Sequence, residues 1–406
     1  MTVRTPRVEK DEINEQGSIM TGLRPLDGIV VADFSRVLAG PLSTMTLADL
    51  GARVIKVERP ESGDDTRSWG PPFSATGATY FESVNRNKQS IALDLRNEQD
   101  REVARELVSK ADVLVENFIT GGMDKMGLGY AELSELNPSL IYASITGFGS
   151  AGGSKIPGYD FIVQALGGLM SITGEPDADP MKAGVALVDV LTAKDATIAI
   201  LAALQNRQKT GRGAHIEVNL LSSLQGALAN QGQAYLGAGK IAGRMGNAHP
   251  SIVPYQLLDC QDGSVAVACG NDGQFVKLCA ELGVPELSGD PKFSTNTQRV
   301  AHREELIPLL EQALRADTGA NWQRRLTEVG VPAGKVANIA EGLDYAASLG
   351  LEPTIEVLDE QGTAVGEQVR HPATWTPALD TPRQAPPKLG EHNDVVRGWL
   401  GAAAAV

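Results

Sequence analysis

Cysteine is scarce in this chain: 406 residues carry three, Cys260, Cys269 and Cys279. So small and odd a number argues against a disulfide framework and for a reducing, cytoplasmic setting. Histidine is almost as rare, with five, and no Cys/His pair has metal-ligand spacing, so no metal site is expected. Apolar runs long enough to span a bilayer are missing, so no membrane-crossing helix is expected. The first twenty residues are polar and charged, without the apolar stretch of a signal peptide, and 1–20 reads as a flexible tail. Positive charge is the minority: 36 Lys and Arg against 50 Asp and Glu leave a net −14. That balance counts against nucleic acid or an anionic membrane as partner. A polyanionic small molecule stays compatible, because its site needs only a local cluster of cations. The glycine fingerprint of dinucleotide-binding turns is also absent, and "RVLAGP" (36–41) stands in that turn instead.

What is present reads as a two-domain globular protein, with 42% hydrophobic and 21% charged residues over a length too great for one ordinary core. From residue 28 onward, short β-branched runs alternate with helical patterns. Strands are expected at Ile29–Asp33, 53–58, 89–95, 112–117 and 139–146, with a helix after Pro41 and another over Asn97–Lys110. Such alternation predicts an α/β fold with a mostly parallel sheet covered by helices on both faces. A long helix is expected over 190–206, closed by Arg207, Lys209 and Gly211. Beyond it the glycine-dotted stretch 236–256 reads as a linker or loop leading into a second unit. There "YQLLDC" and "SVAVACG" flank a hairpin turn at Gln261–Gly263, and helical patterns follow near 273–283 and 302–315.

Asp189 is the ionisable residue with the most unusual surroundings, the apolar run "AGVALVDVLTAKDATIAILAAL" (183–204). At a strand-to-helix junction a carboxylate could cap the helix, the common use of Asp there, or act as a desolvated nucleophile. In "VIKVERPESGDDTRSWG" (54–70), Lys56, Arg59 and Arg67 fall near a strand end, where ligands collect in open α/β sheets. They suit a phosphate or carboxylate, and equally an ion-pair surface with Glu58, Glu61, Asp64 and Asp65. Arg86 and Lys88 stand on the same terms. His249, in "GNAHPSIVPY" (246–255), is a lone loop histidine with either a structural or a catalytic use.

In order along the chain, "PLDGIVVADFSRVLAGP" (25–41), "LGARVIKVERPESGDDTRSWG" (50–70), "FESVNRNKQSIALDL" (81–95), "DVLVENF" (112–118), "GYDFIVQALGGLMSITG" (158–174), "GVALVDVLTAKDATIAILAALQNRQKTGRG" (184–213) and "PPKLGEH" (386–392) together resemble the family III CoA-transferases. That group contains formyl-CoA transferase, carnitine CoA-transferase and the α-methylacyl-CoA racemases. The resemblance implies a large Rossmann-like parallel-sheet domain plus a smaller α+β domain, in an interlocked homodimer. The large, CoA-binding domain would take 21–225 and 340–406, with a linker at 226–245 and the small domain and return linker at 246–339. It makes Asp189 the nucleophile and places CoA contacts on Leu38, Ala39, Arg59, Leu93 to Arg96, Asn117, Phe118 and Lys125. Trp69, Tyr159, Asp160, Asn247 and His249 would line the substrate pocket. Acyl-CoA and a small carboxylic acid are then the implied substrates, with no cofactor held permanently.

Departures from the family pattern narrow the expectation. A glycine-rich lid of formyl-CoA transferase is replaced here by "GNAHPSIVPY", which counts against formyl and oxalyl substrates. The racemases carry a histidine where this chain has Tyr159, a poor base for an α-proton at neutral pH. Lys125 stands where formyl-CoA transferase has an arginine, keeping the charge without the planar fork. The implied activity is therefore transfer of CoA between acids, ahead of an isomerase of the racemase type or a non-catalytic acyl-CoA-binding protein.

Overall fold

The computed structural model describes residues 22–401, and the expected tail at 1–20 lies outside them. The chain divides into two compact units. Among the described residues one takes 22–167, Gly184–Ala229 and 352–401; the other takes Gly168–Ala183 and Asn230–Leu351.

The first unit is built on six parallel strands, β1 (Val30–Asp33), β2 (Arg53–Glu58), β3 (Lys88–Ala92), β4 (Val113–Glu116), β5 (Ile141–Thr146) and β6 (Ala214–Asn219), in the order β3-β2-β1-β4-β5-β6. Strands β1, β2, β4 and β5 are buried along nearly all their length, as central parallel strands covered by helices must be. Ile55, Leu107, Leu114 and Val108 are all buried in one cluster with helix Glu98–Lys110. Asn97 caps that helix with its side chain, which accepts the Gln99 N–H at 2.9 Å. The end of the chain completes this core: Val396 and Leu400 of helix Asn393–Leu400 enter the same cluster. The residues leading into it bond the edge strand, with Ala92 N–H on Asn393 Oδ1 (2.8 Å) and His392 N–H on Ser90 O (3.0 Å). An exposed sheet edge is thereby covered.

The sheet order reverses between β1 and β4, which leaves a crevice beyond their carboxyl ends. Beneath that crevice lies a lattice of buried charges. Lys88 Nζ donates to Asp33 Oδ2 (3.0 Å), Pro41 O (2.9 Å) and Asn85 Oδ1 (2.9 Å). Lys56 Nζ reaches Asp64 Oδ2 (2.9 Å) and Ser35 O (2.8 Å). All four ionic side chains of these two pairs are fully buried. Glu58 binds Arg67 through both oxygens (2.8 and 2.7 Å), and Asp49 binds Arg86 likewise (2.9 and 2.5 Å). Lys56, Arg67, Arg86 and Lys88, which the sequence leaves open as ligand grips, are thus internal pairs. Burial would raise the Asp33 carboxyl, but Lys88 and Lys56 outweigh it and hold it down at about 2.

The second unit has an antiparallel sheet, β7 (Tyr255–Cys260), β8 (Gly263–Ala268) and β9 (Ala333–Lys335), with helices Asp272–Glu281, Arg303–Leu314 and Gly319–Glu328. Its core includes Val265, Phe275, Leu310 and Trp322, with Cys269 and Cys279 buried and unbridged. Where the sequence suggests a linker at 226–245, helix Ala229–Ala238 is formed. Arg244 then ties the following loop to Glu175 O, Pro176 O and Ala178 O, all within this unit. Among the described residues no helix is long and apolar enough to cross a membrane.

Removing one member of a buried pair strands the other, which typically costs about 3–5 kcal/mol. Lys88→Met should lower the urea midpoint strongly, whereas Arg96→Ala, in an exposed pair with Asp94, should leave it unchanged. Equal midpoints for the two variants would contradict this reading of the lattice. The Asp33 contribution follows a definite sign with pH: its folded value lies below the unfolded one. It is present above about pH 4 and lost as the pH falls through about 2.

Candidate active site

The loop after β1 forms the floor of the crevice, and its geometry is imposed from below. Asp33 accepts both the N–H and the hydroxyl of Ser35. Asn117, at the end of β4, clamps Arg36 by accepting its N–H (2.9 Å) and donating to its carbonyl (2.7 Å). Asp64 accepts the Val37 N–H at 3.2 Å. Val37 is held at φ 71°, a left-handed conformation that costs a β-branched residue roughly 1–3 kcal/mol. Strain of this kind survives only where surrounding bonds over-determine it. Leu38 and Ala39 follow, and helix Ala39–Asp49 begins there.

Two cavities open above this floor. A cavity of about 370 Å³ is lined by Leu38, Ala39, Asn117, Tyr159, Asp160 and Asp189, among others. A second, of about 540 Å³, is lined by Arg59, Gly63, Leu93, Asp94, Leu95 and Arg96. Arg36 and Phe118 line both, with the Arg36 guanidinium 5.4 Å from the centre of the Phe118 ring. In the first cavity two loops approach backbone to backbone: a Cβ on Gly147 would lie 2.4 Å from the Gly158 Cα. Glycine is therefore required at that crossing.

Asp189 lies in the first turn of helix Leu187–Thr210, which begins three residues before the 190 that the apolar pattern suggests and has no strand before it. It does not cap the helix. The carboxylate doing so is Asp160, whose Oδ2 accepts the N–H groups of Val188 (2.7 Å) and Asp189 (3.1 Å) while Oδ1 accepts from Gln164 (2.6 Å). Burial, with the Asp160 charge second, pushes the Asp189 carboxyl up to about 7. The helix dipole favours the anion, but desolvation and a like charge prevail. An arrangement of this kind keeps a basic, partly desolvated carboxylate on the cavity wall. The helix N–H groups that an oxyanion would need are already engaged by Asp160 in this state.

The remaining expected residues are placed unevenly. Arg59 bonds Asp65 Oδ1 (2.5 Å) and Gly63 O, and Arg96 is almost fully exposed beside Asp94. Lys125, in the short turn Asp124–Met126, lines neither cavity. Trp69 does not line the Asp189 cavity either; it packs edge-on against Tyr80, ring centres 5.2 Å apart. Tyr80 itself feels the site, since burial and the charges of Asp189 and Asp160 push its phenol up to about 12. Tyr80 and Arg36 were not singled out by the sequence, and only their adjacency to "FESVNRN" and "VLAGP" hints at them. Asn247 and His249 belong to the second unit, where the His249 ring lies against Tyr255 (5.2 Å) and Arg303 donates to its carbonyl (2.6 Å).

The family model for CoA-transferase family III matches residues 26–393. The chain is 45% identical to a succinate–glutarate CoA-transferase of Agrobacterium fabrum, over 93% of this chain and 96% of that protein. It is 42% identical to the human succinyl-CoA:glutarate CoA-transferase, over 92% of this chain and 86% of that protein. Among solved structures, a CaiB/BaiF family protein from Brucella suis superposes with a TM-score of 0.83 at 46% identity, covering 93% of this chain and all of that one. The chain belongs to CoA-transferase family III and is an enzyme of that family.

Proposed function

We propose that this enzyme moves CoA from an acyl-CoA donor to a carboxylic acid through covalent intermediates on Asp189. The observation that carries the proposal is a desolvated carboxylate, near about 7, opening into a cavity. A thioester must be exchanged between two acids without losing its energy to water, and a buried carboxylate can hold the acyl group meanwhile. An Asp189 oxygen attacks the thioester carbonyl, the C–S bond breaks, and CoA leaves as its thiolate from a mixed anhydride. The thiolate then attacks the Asp189 carbonyl, releasing the donor acid and leaving an aspartyl-CoA thioester. Attack by the acceptor carboxylate regenerates anhydride and thiolate. The thiolate finally takes the new acyl group and frees Asp189.

Arg59, Leu93 and Arg96 would hold the nucleotide end of CoA in the larger cavity, with Leu38 and Ala39 along the path to Asp189. Relatives named for succinyl-CoA with glutarate, and for succinyl-CoA with mesaconate, make four- and five-carbon dicarboxylates the first substrates to test. In racemases of the resembled family a histidine is paired with the aspartate, and the described lining of the Asp189 cavity has Tyr159 and no histidine, which favours transfer over isomerisation. A cytoplasmic homodimer completes the proposal. Large apolar side chains left exposed at Phe161, Leu166 and Ile198 are available to a subunit interface and support the dimer.

Asp189→Asn keeps the shape and removes the attacking oxygen, so CoA transfer should fall by at least about a thousandfold. Wild-type kcat/KM for the donor should climb roughly tenfold per pH unit below about 7, as the carboxyl ionises, and level off above. A variant with near-normal transfer, or a profile flat from pH 5.5 to 7, would contradict the role of Asp189. Sedimentation velocity should show a dimer at micromolar concentration; a folded monomer independent of concentration would refute that part.

A further inference from the structure

We propose that Arg36 receives the second carboxylate of a dicarboxylic acyl group or acceptor held in the Asp189 cavity, and so selects diacids over monoacids. The inference rests on the CoA-transfer reading and adds the residue that sets its substrate class. Three carboxylates line this cavity, Asp65, Asp160 and Asp189, and Arg36 is the one cation among its described lining residues. A diacid entering there brings two further negative charges. Its reacting carboxylate is consumed by bond formation at Asp189, but the other stays ionised throughout and needs a counter-charge. Guanidinium answers that need with paired donors in a planar fork.

Arg36 is also the residue whose side chain is left available. Its backbone is fixed by Asn117 on both sides, at 2.9 and 2.7 Å, so the base of the side chain does not move. Its Nε is buried and has no hydrogen-bond partner among the described residues. Nη1 makes a 3.2 Å contact with Asp65, a half-exposed pair, and such pairs hold weakly. Asp65 has a second cation in Arg59, at 2.5 Å. A substrate carboxylate can therefore take the Arg36 fork while Asp65 remains paired with Arg59. Lys56, Arg67, Arg86 and Lys88 cannot compete, because each is committed to a buried carboxylate.

The test compares two acceptors of equal length, glutarate and glutarate monomethyl ester, at saturating succinyl-CoA, reading acceptor kcat/KM. Wild type should prefer glutarate. R36Q should reduce that preference by about a hundredfold, the order expected when one partner of a desolvated charge pair is removed. R36K, with the charge but not the fork, should reduce it by about tenfold. If R36Q lowers both acceptors equally, or wild type does not distinguish them, the assignment is overturned. Should R36Q fail to fold by circular dichroism, an unchanged preference in R36K overturns it instead. Absence of transfer by wild type to any acid, from any acyl-CoA, would refute the CoA-transfer reading itself.

Discussion

Two buried ammonium groups, Lys56 and Lys88, hold together the part of the molecule on which everything above the sheet depends. Lys56 lies within β2 and Lys88 opens β3, and each faces an equally buried carboxylate, Asp64 or Asp33. In a low-dielectric interior such pairs contribute little net stability, but they tolerate only one arrangement, since any shift strands a charge. Here the arrangement dictates the loop after β1. Lys56 takes the Ser35 carbonyl, Asp33 takes the Ser35 N–H, and Asp64 takes the Val37 N–H. The strained Val37 backbone and the start of helix Ala39–Asp49 follow from those bonds. Burial, opposed by the Asp33 charge, brings the Lys88 ammonium down to about 8.

That floor separates two cavities of different character. One carries Asp65, Asp160 and Asp189 with Arg36; the other carries Arg36, Arg59 and Arg96 interleaved with Glu58, Glu61, Asp64 and Asp94. Asp160 adds the second electrostatic device. By occupying the N–H groups that would otherwise stabilise an anion at the helix start, it leaves Asp189 beside a like charge and near about 7. A more basic carboxylate is a better nucleophile, and a proton taken up at lower pH switches it off.

Much of this was legible in the sequence, because it depends on local pattern. Alternating apolar strands and amphipathic helices gave β2 its observed limits, and the turn at Gln261–Asp262 joins β7 to β8 as its residue types require. Contacts between distant residues were not legible. Asp160 lies 28 positions from the N–H of Val188 that it caps, and no spacing rule connects them, so capping was weighed for the wrong aspartate. Lys56, Arg67, Arg86 and Lys88 looked like ligand grips because their strand ends are where ligands bind. Their burial is decided by β1, β2 and β3 lying side by side, which one dimension does not display. The resemblance to a family supplied Asp189 as nucleophile; the structure supplies the reason this carboxylate suits that chemistry.

The central claim is that Asp189 carries the acyl group and CoA during turnover. Incubating wild type with acyl-CoA donor and hydroxylamine, or borohydride, followed by peptide mapping, tests it most directly. The account predicts modification confined to Asp189, dependent on the donor, with Asp160 and Asp195 untouched. Label on another carboxylate, or none while CoA transfer proceeds, would contradict it.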